Sequence, residues 1–192
     1  MKVAVISDTH GYFDPQLSLL LRGTDEVLHT GDVGSEGVLD QLRAIGPVHA
    51  VRGNIDSPAS GLPLTLARTY SGIHICMVHE LPEGQATLQE RASLAGRGGK
   101  PTEPCRRFLE SFPKECRVVV FGHSHEPCAL LLGDKLFFNP GSAGKKRFSL
   151  PRCCGLLEIS PEGVKGTFLG LERYNQGLPE AVWMPSGGVT AC

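Results

Sequence analysis

The chain lacks any apolar stretch long enough to cross a bilayer, which takes roughly 20 residues as a helix. Its first run, "MKVAVIS", meets an Asp within a few residues, so it is too short and too polar-ended for a signal peptide. An excess of either charge is missing as well: 19 Lys and Arg stand against 20 Asp and Glu, a net charge of −1. That balance excludes the polybasic footprint of a nucleic-acid or membrane-surface binder, so an anionic substrate has to be held by local chemistry. Among the seven cysteines no two have C-x-x-C spacing, and their odd number, with the vicinal pair Cys153–Cys154, argues against a secreted disulfide framework. The expected setting is the reducing cytoplasm.

What is present is ordinary in bulk and unusual in arrangement. The 192 residues, 41% hydrophobic and 20% charged, suffice for one domain with a sizeable core. Six short apolar runs each stop at polar residues able to bind metal or phosphate. "KVAVIS" leads into Asp8-Thr9-His10, "DEVLHT" into Gly31-Asp32, and "PVHAVRG" into Asn54. "HICMV" leads into His79, "RVVVFG" into His123-Ser124-His125, and "KLFF" into Asn139-Pro140-Gly141-Ser142. The runs are rich in β-branched and aromatic residues and read as buried strands.

Helical patterns separate the early strands. "DPQLSLLLRG" offers Asp14 as cap, Pro at the first position and Gly23 as terminator; "SEGVLDQLRAIG" offers Ser35 as cap, an apolar stripe at 38, 39, 42 and 45, and Gly46. Strand–helix–strand alternation implies parallel strands, whose functional groups collect past their carboxyl ends. The later half is punctuated by Gly and Pro. It suggests hairpins about Gly133-Asp134 and Pro161–Gly163, and a second, largely antiparallel sheet packed on the first. The domain is expected to span residues 1–172. Residues 173–192 show no periodicity and read as a loosely ordered tail.

Asp8, His10, Asp32, Asn54, His79, His123 and His125 are three oxygen donors and four imidazoles, too many for a four-coordinate structural zinc. Mixed N/O ligation on this scale suits two adjacent divalent ions and favours Mn, Fe, Co, Ni or Zn over Ca or Mg. Such pairs lower the pKa of a bridging water and clamp a phosphoryl group, and Asp32 is the candidate carboxylate between them. His29, His49 and His74 fall inside strands, where packing is the expected role.

The series D-T-H, G-D, G-N-x-D, strand-end His, G-H-S-H and N-P-G-S resembles that of the calcineurin-like metallophosphoesterases, in particular the small single-domain bacterial and archaeal phosphodiesterases. The resemblance implies an α/β fold in which a two-sheet β-sandwich is flanked by helices, in four layers α/β/β/α. It implies one metal on Asp8, His10, Asp32 and His125 and a second on Asp32, Asn54, His79 and His123. Manganese is the expected metal. Asp32, Asn54 and His79 would be the catalytic set, and Asn54, Gly141 and Ser142 would face the substrate. The implied activity is hydrolysis of a small phosphodiester or nucleotide-like substrate through a metal-bridging hydroxide. A phosphomonoesterase or nucleotide phosphatase is an alternative, as is a non-catalytic scaffold of the same fold like the retromer subunit that resembles these enzymes. A homo-oligomer is compatible with this reading.

The chain departs from the family pattern in three places. Ile55 stands where many relatives have a His proposed to protonate the leaving group, and Glu80 follows the strand-end His in place of Gly. Residues 80–116 form a long insert that reads as a flap over the site. The basic run Lys145-Lys146-Arg147 is a candidate contact for a second phosphate.

Overall fold

The computed structural model describes residues 1–95, 103–147, 149–172 and 177–186. In chain order its elements are β1 (Lys2–Ile6), α1 (Gln16–Leu20), β2 (Glu26–His29), α2 (Glu36–Arg43), β3 (Val48–Ala50), β4 (Thr65–Tyr70) and β5 (Ile73–Val78). There follow α3 (Gly84–Ala95), α4 (Glu103–Glu110), β6 (Cys116–Val120), β7 (Cys128–Leu132), β8 (Lys135–Asn139), β9 (Cys153–Ser160), β10 (Gly163–Gly170) and β11 (Val182–Pro185). The strands form a six-stranded sheet of order β11-β10-β9-β1-β2-β3 and a five-stranded sheet of order β4-β5-β6-β8-β7.

The alternation of side chains along each strand builds the layers. In β1, Val3 and Val5 face the core between the sheets, while Ala4 and Ile6 face α1 and α2. In β8, Leu136 and Phe138 face the same inter-sheet core, and Phe137 faces Leu88 of α3 and Phe108 of α4. Strands covered on both faces read as continuous apolar runs, hence their visibility in the sequence. The result is the expected four-layer α/β/β/α sandwich. Among the described residues no helix is long and apolar enough to cross a membrane.

Three local expectations are corrected. The sheets do not divide between an early and a late half: hairpin β7–β8 joins the second sheet, but hairpin β9–β10 pairs antiparallel with β1 and extends the first. The second sheet is mixed, because β5, β6 and β8 run parallel. The tail contributes a strand: β11 pairs antiparallel with β10 and buries Met184 in the inter-sheet core. Its four residues are too few for periodicity to register, and residues 173–176 and 187–192 lie outside those described.

The insert is not a flap in its described parts. α3 and α4 bury Leu88, Cys105 and Phe108 as the outer layer on the second sheet. The Gly-rich centre, 96–102, lies outside the described residues. At α1, Asp14 Oδ1 accepts the amide of Gln16 at 2.9 Å, as its expected capping role requires; Ser35 precedes α2 without a side-chain cap bond.

Candidate metal centre

Each proposed ligand lies just beyond a strand. Asp8, Asp32 and Asn54 follow β1, β2 and β3 of the first sheet, and His79, His123 and His125 follow β5 and β6 of the second. The strand ends converge because the two sheets are packed face to face. Five of these residues adopt left-handed backbone: Asp8 (φ 54°), His10 (48°), Asp32 (53°), His123 (69°) and His125 (61°). Ser71, in the β4–β5 turn, is the other non-glycine with positive φ among the described residues. Strain of this kind persists where the surroundings over-determine it and concentrates at functional sites.

Asp8 is fully buried. Its Oδ2 accepts from Ser7 Oγ at 2.5 Å and from the His123 amide at 3.1 Å. Oδ1 is buried with no hydrogen-bond partner, 3.3 Å from His125 Nε2 and 4.0 Å from His10 Nε2. Burial pushes the Asp8 carboxyl up to about 7, the Ser7 bond opposes that, and the Asp32 charge adds to it. A buried oxygen with no partner in a carboxyl made reluctant to ionise is what a cation would relieve on both counts.

His10 and His125 bring their Nε2 atoms to 3.1 Å. Burial lowers both rings' affinity for a proton, that of His125 to about 4, so both stand neutral at pH 7 with lone pairs available. Two nitrogens each about 2.0–2.1 Å from one ion lie about 3 Å apart when they subtend a right angle, so the spacing fits two ligands of one ion.

Asp32 divides its oxygens: Oδ2 lies 3.6 Å from His10 Nε2, and Oδ1 lies 3.3 Å from His79 Nε2. Asn54 Oδ1 sits 3.0 Å from His79 Nε2 and 3.1 Å from His123 Nδ1. His79 Nδ1 donates to the Thr30 carbonyl at 2.9 Å, which fixes the ring with its Nε2 toward the site. Two overlapping sets able to hold an ion result, Asp8–His10–His125 and Asp8–Asp32–His79. Asp8 reaches into both, a breadth its strand-end position alone did not suggest.

The supports of the site carry weaker sequence signals. Asp56 accepts the amides of Gly34 and Gly53 at 2.8 Å each and of Val33 at 3.1 Å, tying the β3 loop to the β2 loop. Burial alone would raise its pKa; those amides win and hold it below the ordinary carboxylate value. Gly53 is required because a Cβ there would collide with Asp32, and Gly122 because a Cβ would collide with Ser7. Gly141 and Ser142 are held by bonds within the fold. The Gly141 amide donates to Asn139 Oδ1 at 2.9 Å and the buried Ser142 hydroxyl donates to the Asp8 carbonyl at 3.0 Å, so both groups are already committed. These bonds fix the loop beside Asp8. Asn139 Nδ2 donates to Gly122 O and Ser124 Oγ at 3.0 Å each, fastening the histidine loop. Of the basic run, Lys146 pairs with Glu172 at 3.0 Å, whereas the charge of Arg147 contributes to the lowering of His10 and His125.

His29 is fully buried with its ring nitrogens on Thr9 and Gly31, while His49 and His74 contact Glu26 and Thr69. Their placement inside strands gave the expected packing roles.

Residues 1–162 match the model of the calcineurin-like phosphoesterase superfamily domain. A probable metallophosphoesterase of Methanocaldococcus jannaschii is 29% identical, over 80% of this chain and 71% of that protein. Another, from Methanothermobacter thermautotrophicus, is 26% identical over 79% of this chain and 82% of its own length. Among solved structures, wild-type Vps29 of Entamoeba histolytica complexed with zinc superposes with a TM-score of 0.67 at 26% identity, covering 96% of this chain and 99% of that one.

Proposed function

The chain belongs to the calcineurin-like phosphoesterase superfamily, and we propose that within it the protein is a dinuclear phosphodiesterase of the cytoplasm. The observation that carries this reading is the Asp32 carboxylate, one oxygen toward His10 and the other toward His79, beside the partnerless Asp8 Oδ1. One ion would be held by Asp8, His10, Asp32 and His125, the other by Asp32, Asn54, His79 and His123. The donor set suits manganese, with nickel, cobalt, iron and zinc compatible. When bound, two such ions polarise a phosphoryl group and make water a nucleophile near neutral pH.

The chain's own residues set the limits. Asn54 turns Oδ1 to the histidines, which leaves its NH2 to donate to a phosphate oxygen. Ile55 is half-exposed beside it, and its amide holds Asp32 Oδ1 at 3.0 Å, but its side chain has no proton to give a departing alkoxide. General acid catalysis typically contributes about 10²–10⁴-fold. Its loss at this position falls on poor leaving groups, so activated diesters are the favoured substrates. The cysteines of the described residues form no disulfide with one another, which supports a reducing compartment.

The Vps29 likeness favours a second reading, a binding scaffold of the same fold, and one experiment separates the two. Metal analysis after loading should find two ions per chain. The loaded protein should cleave bis(p-nitrophenyl) phosphate faster than alkyl monoesters, and Asp32→Ala should abolish cleavage with the circular dichroism spectrum unchanged. One ion or none, or no hydrolysis with any of the five metals, would overturn the enzyme reading.

A further inference from the structure

A groove of about 890 Å³ opens from the Asn54–His79 side of the centre. It exists because α3 and α4 cover the outer face of the second sheet over β6 and β8 and stop short of its β4 edge. Thr65 and Ala67 of β4, opposite Val78 and Cys76 of β5, form a flat floor of small side chains. Leu64, which is 63% exposed, and Phe112 in the turn after α4 stand as apolar walls. At the metal end Arg52 is half-buried, and its guanidinium has no hydrogen-bond or ion-pair partner among the described residues. An apolar slot joined end to end with an unpaired cation and a two-ion phosphate site matches one kind of molecule: an anionic phosphodiester with a bulky flat ester group.

We propose that the groove is the ester-group subsite of the reaction and takes the planar aromatic ring, aryl or nucleobase, of a phosphodiester whose phosphate lies at the metals with Arg52 beside it. This rests on the phosphodiesterase reading above and adds to it the substrate class. The volume supports the assignment. Pockets of roughly 300–1,000 Å³ enclose whole small ligands, and the phosphate fills only the metal end. A dimethyl ester would leave the floor bare. An aromatic ester would cover Ala67 and Cys76 and gain the free energy of burying a ring.

Calorimetric titration of the manganese-loaded protein with diphenyl phosphate and with dimethyl phosphate tests this without relying on turnover. The aromatic diester should bind about tenfold or more tightly than the dimethyl diester, the advantage expected of one buried ring. Ala67→Trp fills the floor from an exposed position on an edge strand and should erase that advantage while dimethyl phosphate binds as before. Leu64→Asp, at an exposed wall residue, should reduce the advantage in the same sense if the tryptophan variant fails to fold. Equal affinity of the two diesters for the wild type, or a preference untouched by both substitutions, would overturn the subsite, leave the groove to a protein chain, and leave the phosphodiesterase reading standing. Binding of neither diester to protein carrying two ions would bring both down together.

Discussion

At the scale of single residues, the candidate ligands were legible because His, Asp and Asn at strand ends are chemically conspicuous. Their partners were not. Thr30 acts through its carbonyl on His79, Asn139 through bonds to Gly122, Ser124 and Gln85, and Ser7 through its neighbour Asp8, and no local pattern marks such a residue. His29 is the most instructive. Its Nδ1 accepts from the Gly31 amide at 3.2 Å, so the proton lies on Nε2, which donates to Thr9 Oγ1 at 2.9 Å; the threonine hydroxyl then donates to the Val33 carbonyl at 3.0 Å. Both ring nitrogens are used in the neutral form, and burial pushes the pKa from 6.5 down to about 3. Between those values the unfolded chain binds more protons than the native one. Stability contributed by the neutral ring is therefore whole above about 6.5 and is lost as pH falls toward 3. Asp8, raised to about 7 in the metal-free protein, works in the opposite sense, so the informative quantity is a difference between variants. His29→Gln should cost about 1–3 kcal/mol at pH 7 for the disturbed buried bonds. Its urea midpoints, followed from pH 7 to 4 on metal-free protein, should then fall less steeply than the wild type's. Parallel curves would assign the acid sensitivity to another group.

At the scale of elements, the strands buried on both faces and the two early helices were readable from apolar runs, caps and terminators. β4 was not, since "TLARTY" is an edge strand with alternate residues exposed and no continuous run. The insert misled for a related reason. Its Gly/Pro-rich centre suggested a mobile flap, but the apolar residues that anchor its helices lie far apart in the chain and become a face only on the second sheet. The start of α3 also touches the site. Gln85 Oε1 accepts from Ser124 Oγ and Asn139 Nδ2 at 2.9 Å each, bracing the loop that carries His123 and His125. Outer supports of metal ligands are typically worth about 10–100-fold in metal affinity. Gln85→Ala should weaken manganese binding within that range while the thermal transition stays cooperative. An unchanged dissociation constant would show that the loop is held without α3.

At the scale of the whole molecule, the placement of one sheet on the other decides whether a centre exists, because each sheet carries part of the ligand set. Phe138 of β8 reaches across the interface. It stacks on Phe168 of β10 with ring centroids 4.8 Å apart and planes 16° apart, and a Cβ at Gly166 would come within 2.8 Å of its Cε2. Gly155 is bare for the same reason. Removing the ring leaves a cavity between the sheets, and Phe→Ala in such a core costs about 3–5 kcal/mol. Phe138→Ala should lose that much in urea unfolding. It should also hold the second ion less tightly, since His79 and His123 come from one sheet and Asn54 from the other. A variant destabilised by that amount with unaltered metal affinity would mean that the loops, not the sheet packing, set the distance between the ligands.

The sequence by itself determined the chemical inventory of the candidate site: which side chains can ligate, that they follow strands, that their N and O donors suit divalent metals, and that Ile55 cannot act as an acid. These are properties of residue type and short-range order, which a linear pattern displays. Only the tertiary structure decided which carboxylate oxygen faces which histidine, that the Ser142 hydroxyl holds the Asp8 carbonyl, that β9 and β10 extend the first sheet, and that an apolar groove leads out from Asn54 and His79. Each of those depends on where one sheet's side chains meet the other's. That meeting is settled by packing between residues a hundred or more positions apart, as with Asp8 and His125 or Asp8 and Ser142, and no local stretch encodes it.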